Sequence, residues 1–277
     1  MGVVNVTPDS FSDGGRWADA ERAVAHGLDL VADGADLLDI GGESTRPGAT
    51  RPLLADELDR VVPVIRDLAA TGVTVSVDTM RAEVAGAALA AGATVVNDVS
   101  GGLADPRILD VTAEAGATYV AMHWRAHSDR MTDFAVYPRG VVAEVVEELS
   151  VRRDAALAAG IAPERLVLDP GLGFAKEAHH NWELLAGLDR LAGLGHRLLV
   201  GASRKTFLGR LLAGPDGPRP VDGREHGTAA LTLMLAEAAV WCVRVHDVRA
   251  SHDVLAVREA WASAARLAGA AAGEEQE

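Results

Sequence analysis

Eight short, β-branched apolar runs punctuate the chain, and each breaks off into a cluster of Asn, Asp, Arg, Lys, His, Ser or Gly. They are VVNV at 3–6, DLLDI at 36–40, TVSV at 74–77, TVVN at 94–97, TYVAM at 118–122, RLVL at 165–168, RLLV at 197–200 and WCVRV at 241–245. An Ala/Leu-rich stretch long enough for a helix follows each one. Regular βα alternation calls for parallel strands joined by crossover helices. Polar groups gathered at one end of every strand are what a (β/α)8 TIM barrel presents at its C-terminal mouth. An open doubly wound sheet would instead concentrate its chemistry at a single switch point. The expected fold is therefore α/β, a single-domain (β/α)8 TIM barrel over residues 1–267 with a frayed tail at 268–277. A chain of 277 residues suits one such barrel.

Helices are expected over 18–33, 54–70, 81–91, 105–115, 139–159, 178–194, 226–239 and 251–267. Ala20, Val24, Leu28 and Val31 share one face of the first, and Gly34 follows as its stop. AGPDGPRPVDG at 213–223 is too rich in Pro and Gly to remain helical, so the seventh helical region is interrupted there. The one cysteine, Cys242, sits in the last apolar run and reads as a small buried hydrophobe. MGVVNV is too short and too soon interrupted for a secretion signal, and no apolar run reaches membrane-spanning length, so a cytoplasmic enzyme is expected.

A formal net charge of −14 argues against nucleic acid or an anionic membrane as partner. Yet Arg46, Lys176, Arg204, Lys205, Arg244 and His246 all fall at strand ends. Basic groups collected at the mouth of an acidic protein suggest one anionic small molecule held there. Lys176 and Lys205 are the only lysines among 26 basic residues, which marks them as places where a compact ammonium suits better than a planar fork.

Familiar signatures fail on inspection. GASRKT at 201–206 has Arg204 where a phosphate-binding loop needs glycine, and PGLGFAK at 170–176 lacks the third glycine of a dinucleotide fingerprint. The adjacent His179 and His180 cannot chelate from one helix face and are expected to be exposed. What remains is more specific. NVTPDSFSDGG at 5–15 and GGESTRPGA at 41–49 are long loops directly after strands, which suits loops that close over a ligand. Asp78, Asn97 and Asp169 stand at or just after strand ends, where short carboxylates and amides can hydrogen-bond the edge of a flat, nitrogen-rich heterocycle. Each could alternatively cap the following helix.

In MGVVNVTPDSFSDGG at 1–15, GGESTRPG at 41–48, SVDT at 76–79, NDVSGG at 97–102, LDPGLGFAK at 168–176, GASRK at 201–205 and RVHDV at 244–248, the chain resembles the dihydropteroate synthases of folate biosynthesis. MHWR at 122–125 and the arginine-rich composition resemble the actinobacterial branch. Members of that family carry a short segment ahead of the M-G-x-x-N-V-T run, so either the start is assigned late here or the lower end of the barrel is less well covered.

The resemblance implies a transferase that joins 6-hydroxymethyl-7,8-dihydropterin diphosphate to 4-aminobenzoate, with Mg2+ as cofactor and a homodimer as assembly. It assigns the pterin to Asp78, Asn97, Asp169 and Lys205, and the diphosphate to Asn5, Arg46, Arg244 and His246. Asn5 resembles the magnesium contact. Phe11, Thr45, Arg46, Pro47 and Ser203 resemble the aminobenzoate pocket, where sulfonamides compete. Asp13 supports the assembly, and Asp13, Arg46, Lys205, Arg244 and His246 form the catalytic set. Two other readings are a corrinoid-linked pterin methyltransferase, which needs no diphosphate site, and a non-catalytic pterin-binding paralogue, which would be expected to lose Arg46 or the S-R-K run.

Overall fold

The computed structural model describes residues 1–7, 15–43, 51–127 and 130–274. Eight parallel strands follow one another in chain order: β1 (Gly2–Asn5), β2 (Leu37–Gly41), β3 (Thr74–Asp78), β4 (Val95–Asp98), β5 (Thr118–Met122), β6 (Leu166–Asp169), β7 (Arg197–Val200) and β8 (Cys242–Val243). A parallel bridge between Gly2 and Val245 closes the ring, with the Val3 N–H donating to Val245 O (3.1 Å) and the Val245 N–H to Met1 O (3.0 Å). Sequential order and closure exclude the doubly wound sheet and establish the barrel.

Ten helices are described: α1 (Gly15–Ala32), α2 (Leu54–Ala69), α3 (Ala82–Ala90), α4 (Arg107–Glu114), α5 (Val141–Ala158), α6 (Ala178–Ala186), α7 (Leu188–Ala192), α8 (Thr206–Leu211), α9 (Glu225–Glu237) and α10 (Val248–Glu274). Three expectations need correction. The helix expected over 178–194 is two, broken at Gly187, where a Cβ would come within 3.0 Å of both γ-carbons of Val142 on α5. Close packing against α5 favours glycine there, and glycine weakens the helix it interrupts. The last helix runs to Glu274, so backbone expected to fray is helical over 268–274. The final strand is only Cys242–Val243, two residues of the five in its apolar run. The break after α8 falls where Pro and Gly require it.

Side chains alternate along a strand, and that period of two builds the interior. Met1, Leu37, Val95, Val120, Val167, Leu199 and Cys242 form one buried apolar cluster inside the ring. Met1, at the lower end of this layer, is buried at 7% exposure. Two residues further along five of the same strands stand Asp39, Asn97, Met122, Asp169 and Arg244. A single step along the barrel thus passes from a dry floor to a polar mouth. The larger core lies between the barrel's outer face and the helices, where Leu38, Ile40, Tyr119, Leu166 and Leu168 meet Ile65, Leu68, Leu149 and Leu184.

Candidate active site at the barrel mouth

Arg244, just after β8, reaches across the ring to two carboxylates. Its Nε donates to Asp39 Oδ2 (2.6 Å) and one terminal nitrogen, Nη2, to Asp78 Oδ2 (2.9 Å). The Asn97 side-chain amide donates to the same Asp39 oxygen at 2.9 Å. Gly41 is the register partner of Asn5 on one side and of Asp78 on the other, so Asn5 ends its strand level with this cluster. The hydrogen bonds leave Asp78 Oδ1, Asn97 Oδ1 and the Nη1 of Arg244 without partners among the described residues.

Asp169 and Lys205 complete the neighbourhood from β6 and the end of the β7 loop. Asp169 Oδ1 accepts the Gly171 N–H at 2.7 Å. Lys205 Nζ stands 4.2 Å above the Phe174 ring, with no carboxylate in ion-pair range among the described residues. Withdrawal from water lifts the Asp169 carboxyl to about 6, against the pull of the Gly171 N–H and of Lys205. The same withdrawal, reinforced by Arg244, lowers the Lys205 ammonium to about 8. Asp78 is raised chiefly by burial while Arg244 opposes the shift. Ser203 Oγ lies 3.0 Å from His246 Nδ1 and accepts the His246 N–H at 3.2 Å, tying the β7 loop to the residue after the final strand.

None of the three strand-end polar residues caps a helix. The residues at the N-termini of α3, α4 and α6 are Arg81, Pro106 and Glu177, so Asp78, Asn97 and Asp169 are left for the mouth. The adjacent Asp98 instead anchors its own loop, accepting from the Ser100 and Gly102 N–H groups, the Ser100 hydroxyl and the Tyr119 hydroxyl.

Of the six cations expected at the mouth, Lys205, Arg244 and His246 are there. Lys176 turns instead to backbone carbonyls of its own loop, and Arg204 pairs with Glu225. Arg46 lies outside the described residues, as do Phe11, Asp13, Thr45 and Pro47. His179 is exposed as expected, but His180 is half-buried because its Nδ1 accepts the Glu177 N–H at the start of α6. Cys242 is buried and free. Asp39, fully buried, is the residue that sequence reasoning missed. Its signal was present: a carboxylate inside an otherwise apolar strand must find partners, and here it orders both Arg244 and Asn97.

Comparison with known proteins fits this geometry. The chain matches the pterin binding enzyme family over residues 1–246. It is 57% identical to the dihydropteroate synthase of Mycobacterium leprae, over 94% of this chain and 92% of that one. The chain belongs to the dihydropteroate synthase family. Among solved structures, the dihydropteroate synthase of Xanthomonas albilineans with 4-aminobenzoic acid superposes with a TM-score of 0.85 at 48% identity, covering 94% of this chain and 91% of that one. The same organism's enzyme in complex with 7,8-dihydropteroate gives 0.82 at 45%, covering 94% and 92%. The likeness to the mycobacterial enzyme is consistent with the actinobacterial type. Among the described residues no three His, Cys, Asp or Glu side chains group as a metal cage, and no helix is long and apolar enough to cross a membrane.

Proposed function

We propose that this chain condenses 6-hydroxymethyl-7,8-dihydropterin diphosphate with 4-aminobenzoate, giving 7,8-dihydropteroate and diphosphate, with magnesium bound at the diphosphate. The observation that carries the reading is Arg244 bridging Asp39 and Asp78 beside Asn97, with Asp169 and Lys205 facing the same mouth. Open carboxylate and amide oxygens accept from the amino and ring N–H groups of a pterin, and Lys205 donates to its carbonyl. Arg244 keeps Nη1 for the leaving group, and His246 and Arg46 join it. Carboxylates around an electron-rich ring favour positive charge at the reacting methylene, so displacement is dissociative. The arylamine nucleophile is unprotonated at neutral pH and needs no strong base. Phe11, Thr45, Pro47 and Ser203 frame the aminobenzoate, and Asp13 supports the assembled site. Sulfonamides, which mimic the arylamine, are the expected inhibitors.

Asn5 suits magnesium: its half-buried amide ends β1 beside Gly41 and makes no hydrogen bond among the described residues. Magnesium keeps most of its waters, so one amide oxygen plus phosphate oxygens is a chemically sufficient set. When bound, it would neutralise charge on the diphosphate. Incubation with both substrates should yield dihydropteroate and diphosphate in equal amounts, only with Mg2+. Asn5→Ala should need about tenfold more Mg2+ for half-maximal rate. Absence of diphosphate release by the wild-type protein would refute the assignment.

The protein is further proposed to be a cytoplasmic homodimer. Support for the dimer comes from Met234 on α9 and Val257 and Trp261 on α10, which are 64%, 68% and 80% exposed on two helices packed side by side. Large apolar side chains left in water in this way mark association surfaces. Trp261→Asp should convert the dimer to monomer in sedimentation experiments at micromolar concentration. Wild-type protein sedimenting as a monomer would contradict the proposal.

A further inference from the structure

Lys176 touches none of the groups assigned to substrate, yet its ammonium is closely held. Nζ donates to Gly171 O and to Phe174 O, both at 3.0 Å, and to His123 Nδ1 at 2.9 Å. The two carbonyl residues each set one of the proposed pterin contacts. Gly171 gives its N–H to Asp169, and Phe174 places its ring under Lys205. Gly171 also has a φ of +67° and lies so close to β5 that a Cβ would meet His123 O at 2.4 Å, so the loop fits against the barrel in one way.

We propose that Lys176, with His123, is a positioning residue for the pterin site: it holds the 170–176 loop in the shape that aims Asp169 and Phe174. The inference rests on the assignment of the pterin to Asp169 and Lys205. Three acceptors around a single nitrogen suit an ammonium, which burial here lowers to about 7, and not the planar fork of arginine. His123 can accept because Nε2 carries its proton toward Glu148 Oε2, 2.9 Å away, which leaves the Nδ1 lone pair to Lys176. Burial and the neighbouring ammonium lower the imidazole to about 4, so it stays neutral in that role.

The loop needs holding. Ala175, between Phe174 and Lys176, has a φ of +47°, a left-handed backbone that alanine adopts only when its surroundings impose it. Tyr137 supplies another support, its hydroxyl donating to Ala175 O at 2.9 Å, and Arg125 packs 4.0 Å over the Tyr137 ring while pairing with Glu144 and Glu148. The Gly173 N–H is taken by Asn181 Oδ1 at 2.6 Å.

Steady-state kinetics with full-length variants test the inference. Lys176→Met should raise KM for the pterin diphosphate about tenfold while KM for 4-aminobenzoate changes less than about twofold. His123→Asn keeps an acceptor near Nδ1 and should retain near-wild-type pterin KM. His123→Gln places its amide near Nε2, loses the Lys176 acceptor, and should behave like Lys176→Met. A merely structural role would lower the active fraction, and so kcat, without moving KM selectively. The His123 pair decides the matter should Lys176→Met not accumulate. An unchanged pterin KM in Lys176→Met, or equal effects of the two His123 variants, would overturn the inference. Wild-type protein lacking turnover would instead refute the assigned reaction.

Discussion

Arg244→Ala should lower kcat by about three orders of magnitude, because the group that meets charge on the departing diphosphate is gone. The same substitution strands Asp39, which is fully buried, and leaves Asp78 without its ion-pair partner. Removing one member of a buried ion pair costs about 3–5 kcal/mol, so the thermal midpoint should fall by several degrees. The two losses are separable. Adding Asp39→Asn to Arg244→Ala removes the stranded charge and should recover much of the midpoint, while turnover stays low. Recovery of turnover together with stability would show that Arg244 acts on the fold alone. A rise in aminobenzoate KM at unchanged kcat would place Arg244 in the wrong subsite.

Asp169→Asn should weaken pterin binding by about two orders of magnitude in calorimetry, since an amide replaces an ionised acceptor of two donors. The loop should survive, because the Asn Oδ1 can still accept the Gly171 N–H. The pH dependence follows from the raised carboxyl. The unfolded chain releases this proton near 3.8 and the folded protein near 6, so the folded state binds the proton more tightly. Asp169 therefore makes the protein less stable as pH rises from about 4 through 6, and the asparagine variant escapes that loss. Asp169→Asn should unfold at higher temperature than wild type above pH 6 and match it below pH 4. Pterin affinity of the wild type should fall as pH drops through about 7 and then 6, with Asp78 and then Asp169 taking up a proton. It should also fall above about 8, where Lys205 loses its own. The variant should lose the step near 6 and keep the one near 7 that belongs to Asp78. An unaltered affinity would remove Asp169 from the pterin site.

The barrel was legible because each strand announces itself twice, by a β-branched run and by the polar residues that end it. Asp78, Asn97, Asp169, Lys205, Arg244 and His246 all end up around the mouth, as their positions after strand ends implied. Position along the chain does not fix which way a long side chain turns. Lys176 follows the β6 loop as Lys205 follows that of β7, yet one is drawn under its loop by two carbonyls and a histidine while the other stands over Phe174. Arg204 adopts a φ of +61° and points to Glu225, a turn invisible in the letters GASRK. Asp39 was legible as a lone carboxylate in an apolar run but was passed over because the helix-facing Leu38 and Ile40 dominate the pattern there. The split at Gly187 was hidden for a related reason: Val142, the side chain that packs closest on it, lies 45 positions away in the chain.

The decisive experiment is a crystal structure of the wild-type protein with the pterin diphosphate and Mg2+. The pteridine ring should lie edge-on to Asp78, Asn97 and Asp169 with Lys205 at its carbonyl, and the diphosphate should be within hydrogen-bond reach of Arg244, His246 and Asn5. Density for the pterin anywhere other than the C-terminal mouth of the barrel, or a diphosphate out of reach of Arg244, would contradict the assignment.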